Sequence, residues 1–557
     1  MLDVNPACDR RKVMVVGLDG ATFDLIRPWA REGKLPTFER LMEGGCWGEL
    51  TSTIPPFTAP AWCSFATGKN PGKHGMYDFA GRKKGSYEMV PLNASSLKAP
   101  TLWEILSRHG KKVGVLNVPM TYPPPMVNGL LVTGMLTPPN ATNFTYPPEL
   151  GRELLEAVPG YAIWPEGVFH PMGRESEFLG VVQELTDMRF AATRYLMGKV
   201  DWDFFMVVFR GPDLVQHWLW KYMEGRGTNG ALRDGILGVY QRLDKVMASL
   251  LELIPQGTTL VLMSDHGAGP LDTYIHVNTW LLEQGYLRIK RSILPRSKLA
   301  MFRLGVTPRR VYGALMRSGL RKGVGSLVRE RKGQVRGILD RVFLSFRDVD
   351  WPRTLAYSYG NVGPIYLNVK GREPMGRVRP GQEYEQLRDE ISGRLMELRE
   401  PRTGLPLVEK VYRKEELYSG PALEDAPDLF FMPKDLRHQA FGLLQFTSNR
   451  WLEPSFDRSG GHRMNGILLF WGEGVRKGTL AKANMTDIAP SLLALLDTPI
   501  PQDMDGRVLQ EAFQEEIWGG KEIRYSEPHQ SGKAPGEGLT EEETEEIQRR
   551  LKGLGYV

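Results

Sequence analysis

Apolar residues along this chain fall into two registers. Short, nearly unbroken runs at residues 13–18, 113–116, 130–133, 204–209 and 259–263 have the length and continuity of strands buried on both faces. Segments with helical spacing lie between several of them, 231–253 being the clearest. Strands alternating with helices predict an α/β fold with a largely parallel sheet flanked by helices. Later strands are expected at 355–359, 365–369 and 467–470. The pattern divides the chain into a first part of the core at 12–290, a basic helical insertion or cap at 291–348, a second part of the core at 349–510, and a tail at 511–557 with a helix near its end.

Composition adds limits rather than detail. With 557 residues, 41% hydrophobic and 24% charged, the chain is an ordinary folded protein, neither disordered nor fibrous. No stretch approaches the roughly 18 uninterrupted apolar residues of a membrane span, and residues 1–12 hold no apolar run of signal-peptide length, so a cytoplasmic location without a membrane span is expected. Three cysteines (Cys8, Cys46, Cys63) form no CxxC pair, so any metal is held by histidines and carboxylates. The net charge of +6 gathers largely in 291–336, without aromatic residues in an RNA-binding pattern. That segment reads as a solvated helical surface, and no specific nucleic-acid binding is expected.

In parallel sheets, reactive side chains collect beyond the carboxyl ends of the strands, where the chain leaves the buried layer. Asp19 follows the first run, Asp213 and His217 follow 204–209, Asp265 and His266 follow 259–263, and His462 precedes 467–470. Asp213 and His217 stand at i and i+4, so a helix starting near Pro212 puts them on one face. Each pair by itself is as well explained by a cap beside a packed histidine. Three such signals after separate strands favour metal ligation, and mixed His/Asp shells suit zinc, with manganese or iron as alternatives.

A hydroxyl is available at Thr58, within Phe57-Thr58-Ala59-Pro60-Ala61-Trp62. Pro60 fits the first turn of a helix, so Thr58 falls at or near its cap. A capping threonine needs no further role, yet the free N–H groups of a helix start also favour an anion beside it. His74 is expected to be structural and His276 a turn or cap residue. His109, His170, His438 and His529 show no partner pattern, and Cys63 reads as a buried thiol. Trp218, Trp220 and Tyr122 either fill core or stack on a substrate.

Asp19, Thr58, Thr67-Gly68-Lys69-Asn70-Pro71-Gly72-Lys73-His74-Gly75, Pro212-Asp213-Leu214-Val215-Gln216-His217, Ser264-Asp265-His266-Gly267 and Gly461-His462 together resemble the type I phosphodiesterase/nucleotide pyrophosphatase family of the alkaline phosphatase superfamily. The resemblance runs over about residues 13–509. It implies an alkaline phosphatase-like core and two divalent metal ions, with Asp213, His217 and His462 on one zinc and Asp19, Asp265, His266 and Thr58 on the other. It also implies Thr58 as the nucleophile on a small phosphate-ester or nucleotide-type substrate.

The family's nucleotide pyrophosphatases carry an asparagine shortly after the His-Gly pair to hold a phosphoryl oxygen. Here Asp78 and Phe79 stand there. An ionised aspartate cannot donate a hydrogen bond, so the backbone N–H of Ala59 is the alternative donor, or Asp78 meets a different substrate. The same scaffold also fits a phosphomonoesterase, a phosphonate hydrolase or a phosphotransferase, and a non-catalytic anion-binding module is the reading from another class.

Overall fold

Strand β1 (Lys12–Leu18) lies at the centre of the main sheet, and Val13 to Leu18 are buried along its whole length. The structure is a computed structural model describing residues 11–164, 171, 173–311, 341–442, 446–518, 522–528 and 539–553. Further strands of the same sheet are β2 (Cys46–Thr51), β3 (Val113–Val118), β4 (Gly129–Thr133), β5 (Phe204–Phe209) and β6 (Thr258–Met263). The order β4-β3-β5-β1-β6 is parallel throughout, and β3, β5 and β6 are buried end to end as the sequence runs predict.

Two short strands, β7 (Gly267–Pro270) and β8 (Gly460–Arg463), pair antiparallel with Ala268 opposite His462. The late strand β9 (Asn465–Trp471) then inserts antiparallel between β6 and β2. A chain segment nearly two hundred residues after His266 is thereby brought beside it.

Helices cover both faces. The first of those that matter to the site, α1 (Thr58–Thr67), is buried at every residue. It packs directly on β1 because Gly17 has no side chain: a Cβ there would stand 2.5 Å from the Trp62 ring. Helix α2 (Gly211–Met223) follows β5 with a proline in its first turn, and α3 (Gly235–Leu253) packs against it. Trp218, Trp220 and Cys63 are buried in the main apolar core, and Tyr122 is buried with its hydroxyl bonded to Asn143 and Glu543.

A second body of short, mostly antiparallel strands carries its own apolar core around Trp280, Tyr357, Ile365 and Phe431. The expected strands at 355–359 and 365–369 appear there as Ala356–Tyr357 and Pro364–Leu367. The expected insertion is described at 291–311 and from 341 onward, and it contributes helix α4 (Ile293–Arg303). The remainder, 312–340, lies outside the described residues, as do His170, His529 and Cys8. Helix α5 (Glu541–Gly553) forms where a tail helix is expected, and Ile547 is buried against the main core. Among the described residues no helix is long and apolar enough to cross a membrane.

Candidate active site

The turn after β1 is the base of the site. Gly20 adopts φ +70°, and a Cβ there would approach the Asp213 backbone to 3.1 Å, so only glycine lets the turn pass under α2. The Asp213 N–H donates to the Asp19 carbonyl at 3.0 Å, and the Gly20 N–H donates to Asp265 Oδ1 at 3.1 Å. Three strand ends are thus laced through backbone groups. Ser52 adds a hydroxyl bond to the Asp265 carbonyl at 2.6 Å.

All six expected ligand residues converge. The ligand atoms of Asp19, Asp265 and His266 lie within 4.8 Å of one another, as do those of Asp213, His266 and His462. His217 Nε2 is 3.1 Å from Asp213 Oδ1 and 3.2 Å from His462 Nε2, so it joins the second group. His266 stands at the junction, its ring stacked on His462 with centroids 3.6 Å apart.

The protonation of the imidazoles follows from their outer partners. His217 Nδ1 faces the Gly460 carbonyl at 2.9 Å, His266 Nδ1 the Gly267 carbonyl at 3.0 Å, and His462 Nδ1 the Pro56 carbonyl at 2.9 Å. A carbonyl oxygen only accepts, so each ring holds its proton on Nδ1 and turns an Nε2 lone pair inward. Two such lone pairs 3.2 Å apart repel each other unless a cation lies between them.

The carboxylates have the same need. Asp19 Oδ1 and Asp265 Oδ2 are buried and satisfy no hydrogen bond. Burial, reinforced by the charge of Asp265, pushes the Asp19 carboxyl well above the usual carboxylate range, and burial raises Asp265 as well. His462 is held down to about 3 by burial and by the neighbouring His266. Buried charges of one sign are costly unless paired or bound to a metal, and this donor set of carboxylates and Nε2 atoms fits divalent cations.

Arg210 is a residue that the sequence reading missed. Its guanidinium bridges Asp19 Oδ2 at 3.1 Å and Asp213 Oδ2 at 3.3 Å, and lies 4.6 Å from the Trp164 ring centroid. The signal was visible as an arginine closing an otherwise all-apolar strand directly before Gly211-Pro212-Asp213. One guanidinium orients Asp19 and Asp213 but cannot neutralise the three carboxylates of the cluster.

Thr58 is not the cap of its helix. Phe57 holds the cap position, Thr58 is the first helical residue, and its Oγ1 stands 3.4 Å from His266 Nε2. The hydroxyl therefore faces the cluster instead of its own backbone. Ala59, the second residue of the helix, has no acceptor for its N–H within that helix.

Asp78 is turned elsewhere. Its Oδ1 accepts the Phe79 N–H at 2.6 Å and its Oδ2 accepts the Asn361 N–H at 3.0 Å, while the Phe79 ring packs on Phe57 with centroids 5.1 Å apart. Burial pushes the Asp78 carboxyl up to about 7, against the N–H bonds that favour its ionised form. The folded chain then keeps a proton that the unfolded chain loses between about pH 4 and pH 7, so stability falls as pH rises through that window and levels off above it. Asp78→Asn is expected to flatten this part of the profile, by a few kcal/mol at most, in denaturation midpoints taken at intervals from about pH 5 to pH 8. A variant profile parallel to that of the parent would contradict the assignment.

The other histidines have local partners. His74 is buried, with Nε2 2.9 Å from Ser64 Oγ and Nδ1 accepting the Met76 N–H, as a structural histidine should be. His276 Nε2 meets Glu453 at 2.8 Å, His438 Nδ1 meets the Thr273 hydroxyl at 2.6 Å, and His109 Nδ1 meets the Ile105 carbonyl at 2.9 Å.

Comparison with known proteins places the chain in a family. The family model described as type I phosphodiesterase / nucleotide pyrophosphatase matches residues 13–436. Phosphonoacetate hydrolase from Sinorhizobium meliloti 1021, solved with phosphonoformate, has a similar fold, with a TM-score of 0.51 at 17% identity over 86% of this chain and 94% of that chain. Murine ectonucleotide pyrophosphatase / phosphodiesterase 5 gives a TM-score of 0.47 at 14% identity, over 87% of this chain and 95% of that one. No curated protein matches the chain. The fold is alkaline phosphatase-like, and the chain belongs to the type I phosphodiesterase/nucleotide pyrophosphatase family of metal-dependent phosphoric-ester hydrolases.

Proposed function

We propose that the chain cleaves a phosphodiester or phosphoanhydride bond of a small nucleotide-type or related ester, with Thr58 as nucleophile and two divalent cations in the cluster. The observation that carries this reading is the inward set of three Nε2 atoms and three buried carboxylates, with the Thr58 hydroxyl 3.4 Å from His266. Asp213, His217 and His462 would hold one ion, and Asp19, Asp265 and His266, with Thr58 Oγ1, the other, with His266 also standing within 4.8 Å of the Asp213 and His462 donors of the first. Zinc suits the donors best, with manganese or iron as alternatives. Bound there, the two ions supply Lewis acidity to the phosphoryl oxygen, the attacking hydroxyl and the departing oxygen.

The protein groups do the rest. Arg210 fixes Asp19 and Asp213 in one orientation, and the Nδ1 bonds to Gly460, Gly267 and Pro56 fix the three rings. Thr58 Oγ1 gives up its proton and forms its bond to phosphorus as the bond to the leaving oxygen breaks, the leaving oxygen takes up a proton, and water then hydrolyses the phosphothreonine, returning a proton to Oγ1. The Ala59 N–H, at the positive end of α1, donates to the phosphoryl oxygen as negative charge grows on it.

A second reading, a phosphomonoesterase, phosphonate hydrolase or phosphotransferase on the same site, is favoured by one feature. The stretch after His74 offers no amide side chain, because Phe79 is packed into the core and Asp78 is bound to the backbone of Asn361. Turnover of a bis-nitrophenyl phosphodiester against nitrophenyl phosphate and a phosphonate, with metal content measured in the same preparation, separates the two. Close to two ions per chain with a faster diester is the expected result. A monoester or phosphonate preference above about a hundredfold, some 2.7 kcal/mol of transition-state discrimination, would replace the first reading by the second.

A further inference from the structure

Charge is unevenly divided along the chain. Residues 291–348 hold fifteen Lys/Arg against three Asp/Glu, a net +12 in a chain whose total is +6, so all the other residues together carry −6. Within the described part, 288–311 contain eight Lys/Arg and no acidic residue. Arg288, Lys290, Arg291, Arg296, Arg303 and Arg310 are exposed there.

A merely solvated helix would pair this charge with a polar outer face, and α4 does not. Pro295, Lys298 and Phe302 face the body of the protein and are buried, with Lys298 paired to Asp348 at 3.1 Å. On the outer side Ile293 is 89% exposed, Leu294 61% and Leu304, which caps the helix, 82%. At 3.6 residues per turn these three, with Ser297 and Met301, occupy one arc of about 100°. Arg296 and Arg303 stand seven residues apart and border the arc along one edge. Val306 and Val311, at 41% and 37%, extend the apolar surface beyond the helix. The patch is held to the body by Lys298 with Asp348 and by Arg309 with Glu453.

We propose that this face of α4 docks on the surface of a bilayer rich in anionic phospholipid. Aliphatic side chains would enter the boundary of the acyl region while the arginines reach the headgroup phosphates, the arrangement that amphipathic helices adopt in the plane of a membrane. Nucleic acid fits less well. Phosphate recognition makes no use of exposed Ile and Leu, and Phe302, the single aromatic of 288–311, is buried and cannot stack on a base. The proposal is independent of the reaction assigned to the cluster and would stand if that assignment failed.

Sedimentation of the full chain with vesicles tests it. At low salt the protein should bind phosphatidylcholine vesicles containing roughly one third phosphatidylglycerol at least about tenfold more tightly than phosphatidylcholine alone. Ile293→Asp with Leu304→Asp should weaken that binding by about tenfold or more, and Arg296→Glu with Arg303→Glu should do the same. Both pairs lie on the surface, so melting temperature and ester turnover should match the parent. Failure to bind, equal affinity for neutral vesicles, or anionic binding indifferent to the aliphatic pair would each overturn the proposal. So would a dimer of the parent that the aliphatic pair dissociates, or displacement from vesicles by an RNA homopolymer whose own binding ignores that pair.

Discussion

Thr58→Ala is expected to lower turnover of any substrate of this site by on the order of 10⁴-fold or more, the scale seen when an activated nucleophile is removed from an otherwise intact site. Substrate affinity should change little, because the Ala59 N–H and the cluster remain. The structure gives a reason to expect this of Thr58 and not of its neighbours. Its hydroxyl spends no hydrogen bond on its own helix and stands beside His266, whereas the Thr67 and Ser64 hydroxyls of the same helix bond to Cys63 and His74. Thr58→Ser should retain part of the activity, since it keeps the attacking oxygen. Acid quenching during turnover of a substrate labelled at phosphorus should trap label on Thr58. Activity of Thr58→Ala within tenfold of the parent, or label on another residue, would remove Thr58 from the mechanism.

The second large effect is expected at His266. It belongs to both ligand groups, lies 3.2 Å from Asp265 Oδ2 and 3.8 Å from Asp19 Oδ1, and stacks on His462. His266→Ala should therefore reduce bound metal from close to two ions per chain to less than one. Turnover should fall by well over the roughly hundredfold that even an outer orienting residue can cost. His217 belongs to one group, and His217→Ala should cost about one ion. Metal analysis after exhaustive dialysis reads the difference directly. Equal losses in the two variants would show that His266 is not shared.

Much of this arrangement was legible along the chain because the relevant physics is local. An all-apolar run followed by Asp-Gly announces a buried strand and a tight turn, and Pro212 announces the helix that sets Asp213 and His217 on one face. The basic segment shows the opposite case. Its charge was plain in the sequence, but Ile293, Leu294 and Leu304 have the same hydropathy as core residues, and only packing reveals that α4 spends Pro295, Lys298 and Phe302 on the core and leaves those three outside. Arg210 escaped for a related reason, since a strand-end arginine acquires meaning only when Asp19, almost two hundred residues earlier, is seen to accept from it.

Asp78 is the sharpest instance. Its position after His74-Gly75 made it a candidate for substrate contact, and the sequence offered nothing against that. Its actual partner is the backbone of Asn361, brought there by a strand of the second body.

By itself, then, the sequence determined the parallel core, the six carboxylates and imidazoles that converge, the candidate hydroxyl beside them and the family, because strand continuity, turn glycines and helix starts are written in neighbouring residues. The tertiary structure decided which donors share His266, which ring nitrogens point inward, that Thr58 faces the cluster rather than capping its helix, and which aliphatic face of α4 is left to the outside. Each of those depends on contacts between residues far apart in the chain, and no local pattern specifies which distant group will arrive.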